Sequence, residues 1–129
     1  MEAFYFPCKG YNGADLSGTL LLRYNGFNAS LTAAKNSDSP CFYSVQGEKG
    51  YLSIAGKPNE MNRLVVSING KKLLFDTPPA VSRMEQEFRE YSDCIEKNDY
   101  ETMLRWLSET EAAMKVLDLV KGSLGYYSN

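Results

Sequence analysis

The chain contains no histidine in 129 residues. Histidine is the usual general base near neutral pH and the commonest metal ligand, so its absence removes every Ser-His-Asp and Cys-His arrangement at once. Cysteine is sparse too. Cys8, Cys41 and Cys94 are odd in number, widely spaced and without a C-x-x-C pair, which indicates neither a disulfide framework nor a zinc site. They are read as small buried or half-buried hydrophobes. No apolar run reaches the ~18 residues of a membrane span, and the N-terminus has no charged segment leading into a hydrophobic one. Neither sign of charge dominates: 14 Lys and Arg against 16 Asp and Glu leave a net charge of −2, no footprint for nucleic acid or an anionic membrane. These absences point to a cytoplasmic protein without a nucleic-acid or membrane partner, in which the acceptor-like Asn28-Ala29-Ser30 has no meaning as a glycosylation site.

What is present is ordinary globular composition, 43% hydrophobic and 23% charged, at a length that suits one domain with a core of its own. Its first half reads as strands. Asp15–Tyr24 sets Leu16, Leu20, Leu22 and Tyr24 on one face and Ser17, Thr19 and Arg23 on the other, with Leu21 breaking the alternation. Asn25-Gly26 then turns the chain, both positions being expected at positive φ, into a return strand with Phe27, Ala29, Leu31 and Ala33 on one face. Ala3–Cys8, Pro40–Gln46 and Gly50–Ala55 follow the same logic, and Arg63–Ile68 turns at Asn69-Gly70 into Lys71–Phe75.

The pattern changes at Thr77-Pro78-Pro79. Val81, Met84, Phe88, Tyr91 and Ile95 recur at helical spacing behind prolines suited to a helix start. Asn98-Asp99 opens a second helix, with Glu101 in a capping-box-like position and an apolar stripe of Met103, Leu104, Leu107, Met114, Leu117 and Val120; Gly122 and Gly125 offer stops. Strands over about 3–75 and helices over about 79–97 and 99–121 predict an α+β domain spanning 1–129. Its mostly antiparallel sheet of six or seven strands carries the two C-terminal helices on one face. The other face, rich in Ser, Thr and Asn with Leu21, Phe42 and Val65 mixed in, is either solvated or a subunit interface.

No catalytic constellation stands out. Gly47-Glu48-Lys49-Gly50 resembles a phosphate loop at first sight, but strand flanks it on both sides and no helix N-terminus is near to converge amides on a phosphate. It reads as a strand-to-strand corner, and Gly56-Lys57-Pro58 fails in the same way. The carboxylates Asp93, Glu96, Asp99, Glu109, Glu111 and Asp118 alternate with Lys and Arg and read as a solvated helix face. Tyr126-Tyr127 suits stacking on a ligand or a tail laid over the sheet.

Three blocks resemble the C-terminal domain of the glucose–fructose oxidoreductase / inositol dehydrogenase / rhizopine-catabolism (Gfo/Idh/MocA) family. They are Asp15 to Leu31, "DLSGTLLLRYNGFNASL"; Val45 to Ile54, "VQGEKGYLSI"; and the helical ending from Glu87 to Gly125. The resemblance implies a substrate-binding and oligomerisation domain of an NAD(P)-dependent oxidoreductase acting on a sugar, polyol or related hydroxyl compound. An N-terminal Rossmann domain, missing from these residues, would hold NAD or NADP in the parent enzyme. With no G-x-G-x-x-G, no E-K-P and no histidine, no catalytic, cofactor-binding or metal-binding residue carries over, and the segment alone is expected to be inactive. The family's open sheet face commonly pairs subunits, which implies a homo-oligomer through Ser17, Thr19, Leu21, Arg23, Ser30 and Thr32. The loop at Asn36, Ser37, Asp38 and Ser39 corresponds to one wall of the substrate cleft, or is an ordinary polar turn. The rival reading is a stand-alone binding module without enzymatic activity, either pleckstrin-homology-like or a small oligomeric α+β protein.

Overall fold

The computed structural model describes residues 1–57, 61, 63–76 and 84–124. Seven strands, β1 (Glu2–Lys9), β2 (Asp15–Arg23), β3 (Asn28–Ala34), β4 (Phe42–Gly47), β5 (Gly50–Ala55), β6 (Arg63–Ile68) and β7 (Lys71–Asp76), precede α1 (Glu85–Lys97) and α2 (Tyr100–Ser123). Every strand pair is antiparallel, so the fold is α+β, as a block of strands followed by a block of helices implies. To this the structure adds a division: the strands form two sheets, β1-β2-β3 and β4-β5-β6-β7. Between β3 and β4 lie residues 35–41, whose Pro40 has no N–H to give to a ladder. The chain groups into two compact units, Met1–Asp38 with the segment from Tyr100 on, and Ser39–Asp99.

In the first unit α2 lies against β1. The cross-strand pairs Ala3–Leu22, Tyr5–Leu20 and Pro7–Gly18 share one face. Leu22 is buried there and Ala3, Tyr5 and Pro7 are half-buried, whereas Phe4 and Phe6 on the opposite face are exposed, so α2 covers the Leu22 side. Gly18 makes room for the Tyr5 ring, since a Cβ at that position would lie 2.4–2.6 Å from the ring and its hydroxyl. On α2 the half-buried side chains are Thr102, Met103, Trp106, Val116 and Val120. Of the stripe expected from periodicity, Leu104, Leu107, Met114 and Leu117 are exposed instead. A helix apolar around more than one face does not reveal by spacing alone which face turns inward. Gly122 lies inside α2, not beyond its end, and Gly125 falls outside the described residues.

In the second unit β4–β7 form a meander, and Tyr43, Leu52, Ile54, Leu64, Val66 and Phe75 share one face by register. The stripe Met84, Phe88, Tyr91 and Ile95 of α1 is exposed, and no Cα of α1 comes within 8 Å of a Cα of β4–β7. Thr77-Pro78-Pro79 and Val81 lie outside the described residues. The helix ends at Asn98, left-handed with φ 53°, whose N–H bonds the Ile95 carbonyl at 3.1 Å while the Asp99 N–H bonds that of Cys94 at 2.9 Å. Asn98 thus closes α1 and does not open α2, because a left-handed residue with a short polar side chain suits a helix C-terminus.

The turns follow their glycines. Asn69 and Gly70 have φ of 50° and 78°, as a type I′ hairpin turn requires. At Asn25-Gly26 only Gly26 takes positive φ, 99°. Here the loop is four residues long, with Arg23 paired to Asn28 and the Tyr24 and Phe27 rings stacked at 4.4 Å, so Asn25 is spared the left-handed conformation. Glu48-Lys49 joins the Gly47–Gly50 pair, which makes that motif a β4–β5 corner.

Candidate functional site

The open face of β1–β3 gathers all six side chains singled out from its sequence. Register places Thr19 opposite Thr32 and Leu21 opposite Ser30, with Ser17 and Arg23 next along β2 on the same face. The Thr19 and Thr32 hydroxyls are 3.1 Å apart, a hydrogen bond across the ladder. Arg23 forms a salt bridge with Glu2, and its guanidinium carbon sits 6.0 Å from the centre of the Phe4 ring. Between these polar groups stand Phe4, Phe6 (61% exposed) and Leu21 (41% exposed). The face thus alternates hydroxyls with large exposed apolar groups.

Asn36, Ser37, Asp38 and Ser39 are exposed in the segment between β3 and β4, and none lines the depression over β4 and β5. A different place in the second unit has more shape: an open depression of about 840 Å³. Its floor is the outer face of β4 and β5, with Phe42, Ser44, Gln46, Tyr51 and Ser53 on one side of the pleat and the Glu48-Lys49 corner at one end. Phe42 is 74% exposed. The alternation Phe42-Ser44-Gln46, leading into the Gly47-Glu48-Lys49-Gly50 corner, is the sequence signal that could have found this surface. Hydroxyls, an amide and two aromatic faces can hold a polar ligand by hydrogen bonds and stacking.

Several ion pairs lie on the surface. Arg63 and Asp76 close the ends of β6 and β7, with Nε donating to Oδ1 at 2.6 Å, and the hydrogen bond holds the guanidinium pKa up. Both are well exposed, so the pair contributes little. The helix carboxylates Asp93 and Glu111 pair with Lys97 and Lys115 one turn on, each at 2.9 Å, and Glu85 pairs with Arg89 at 2.6 Å. The Lys115 hydrogen bond lowers the Glu111 pKa. These are solvated ion pairs and not catalytic dyads.

Cys8 and Cys41 are exposed, contrary to the expectation for small hydrophobes, because Cys8 stands on the open face of β1 and Cys41 precedes β4. Cys94 is buried, at 8% exposure. Burial raises its thiol pKa first, with the nearby Asp99 and Asp93 charges adding to the rise. Among the described residues no cluster of three or more His, Cys, Asp or Glu is placed to hold a metal ion, and no helix is long and apolar enough to cross a membrane. Tyr126-Tyr127 lies outside the described residues. Comparison with known protein families and with curated proteins gives no match.

Proposed function

We propose that this chain is a substrate-binding and oligomerisation domain of an NAD(P)-dependent oxidoreductase acting on a sugar, polyol or related hydroxyl compound, similar to the C-terminal domain of the Gfo/Idh/MocA family. The observation that carries the reading is the open β1–β3 face, a surface fit to pair with a second copy. The two exposed phenylalanines alone offer roughly 200 Å² of apolar area per copy, worth about 5 kcal/mol before the cost of association. The order of elements supports the resemblance: Asp15 to Leu31 is the β2–turn–β3 hairpin, Val45 to Ile54 the β4–β5 corner, and Glu87 to Gly125 runs through α1 and α2. NAD or NADP belongs to the Rossmann half of the parent enzyme, a cytoplasmic protein in this reading. This chain contributes a wall of the substrate cleft through Asn36, Ser37, Asp38 and Ser39 and no catalysis of its own.

Light scattering and calorimetry test the two halves separately. At tens of micromolar the chain is expected to self-associate, and Leu21→Lys, which places a charge in the middle of the open face, is expected to lower the mass of the assembly by breaking the face contact. A monomeric wild type sinks the interface. The chain is also expected to bind neither NAD nor NADP, since it has no glycine-rich turn leading into a helix; measurable affinity for either overturns the domain assignment.

A further inference from the structure

A bare edge strand recruits other strands, so edges are ordinarily blunted with charge, proline or a bulge. β1 carries Glu2, Pro7 and Lys9 and a register shift at Cys8–Lys9, and β7 carries Lys71, Lys72 and Asp76. β3 carries none of these. Its sequence, Asn28-Ala29-Ser30-Leu31-Thr32-Ala33-Ala34, pairs with β2 on one side and with no described strand on the other.

Two hydrogen bonds reveal which groups are free. The Lys35 N–H donates to the Leu16 carbonyl at 2.7 Å and the Tyr24 N–H to the Phe27 carbonyl at 3.0 Å. Alternation along an antiparallel ladder then makes Gly18–Ala33, Leu20–Leu31 and Leu22–Ala29 the hydrogen-bonded pairs between them. Ala29, Leu31 and Ala33 therefore aim their backbone groups at β2. Asn28, Ser30, Thr32 and Ala34 aim theirs at the free edge.

We propose that β3 pairs antiparallel with β3 of a second copy, Leu31 lying on the two-fold axis, so that two three-stranded sheets become one of six strands. This goes beyond the face contact above, because it uses the edge and not the open face. The register engages all seven residues and sets like against like: Ala29 opposite the partner's Ala33, Ser30 opposite the partner's Thr32, Leu31 opposite the partner's Leu31. Every outward backbone group meets an outward one. The hydroxyl row that begins at Thr19 and Thr32 continues onto the partner's Ser30, a favourable cross-strand pairing. Leu31, 53% exposed on the opposite side of the sheet, gains the cover it lacks. The β4 edge is also uncharged, but it is shorter, and centring it on a two-fold axis sets Phe42 opposite Gln46.

Disulfide trapping in the full chain tests the register, with the exposed Cys8 and Cys41 changed to serine. In Leu31→Cys the two Cα atoms lie about 4.5 Å apart, within disulfide reach. In Ala29→Cys they lie about 13 Å apart, four residues along the ladder, and out of reach. Oxidised Leu31→Cys is expected to run at twice the 14.5 kDa monomer mass and Ala29→Cys as monomer. Adding Ser30→Pro, which removes an outward N–H and leaves the β2 ladder whole, is expected to cut the yield at least about tenfold. Adding Leu21→Lys on the open face leaves it unchanged, which separates the edge from the face contact. No cross-link at Leu31→Cys, equal cross-linking at Ala29→Cys, or indifference to Ser30→Pro overturns the proposal.

Discussion

Replacing Gly50 with alanine tests why the Gly47-Glu48-Lys49-Gly50 motif has its glycines. A Cβ on Gly50 would lie 1.8 Å from the Ser67 carbonyl oxygen, 2.8 Å from its carbonyl carbon and 3.1 Å from the Ile68 Cα. Carbon-to-oxygen contacts begin near 3.3 Å, so β5 and β6 must part by about 1.5 Å at this end. Gly50 pairs with Ile68 and Tyr51 with Ser67, and the Asn69 N–H donates to the Lys49 carbonyl at 2.8 Å, so two to three backbone hydrogen bonds are disturbed together. At about 1 kcal/mol each, plus about 1 kcal/mol for a side chain at φ +156°, the loss is about 3–4 kcal/mol. For a unit the size of Ser39–Asp99 that lowers its melting temperature by at least about 10 °C. Gly47 is the internal control. The nearest atom to a Cβ there is 3.8 Å away and its φ is not positive, so Gly47→Ala stays within about 0.5 kcal/mol. Thermal unfolding by circular dichroism, with hydrogen exchange at the Tyr51 and Ser67 amides, reads both variants. Equal and mild effects at Gly47 and Gly50 would refute the steric argument and reopen the motif as a ligand loop.

Two further outcomes follow from single residues. Asn98 sits left-handed at the end of α1, so Asn98→Gly is expected to be neutral or mildly stabilising and Asn98→Val to cost about 1–2 kcal/mol, measured by urea unfolding; equal costs count against the cap. In alkylation kinetics Cys8 and Cys41 are expected to react at least about tenfold faster than Cys94. The midpoint of the Cys94 rate against pH should lie above the ordinary thiol value of 9.0, because a raised pKa keeps the reactive thiolate scarce below it; a midpoint below 9.0 contradicts its burial.

Elements whose cause is local were legible. Asn69-Gly70 specifies its turn because two successive positive φ values suit that dipeptide, and the β2 alternation named the faces of its sheet because side chains alternate with period two. The six open-face residues followed from that period alone. The depression floored by Phe42 and Tyr51 did not, since β4 and β5 must pair before its residues share one surface.

The sequence by itself determined the order of elements, the antiparallel hairpins and the absence of histidine chemistry, because propensity, turn geometry and composition act over a few neighbouring residues. Only the tertiary structure decided that the strands divide into two sheets and that α2 turns Trp106 and Val116 inward while Leu104 and Leu107 stay exposed. It alone also shows that Gly50 is a glycine because a carbonyl from another strand occupies the place of its side chain. Each of these depends on which distant groups come to lie against one another, and spacing along the chain does not carry that information.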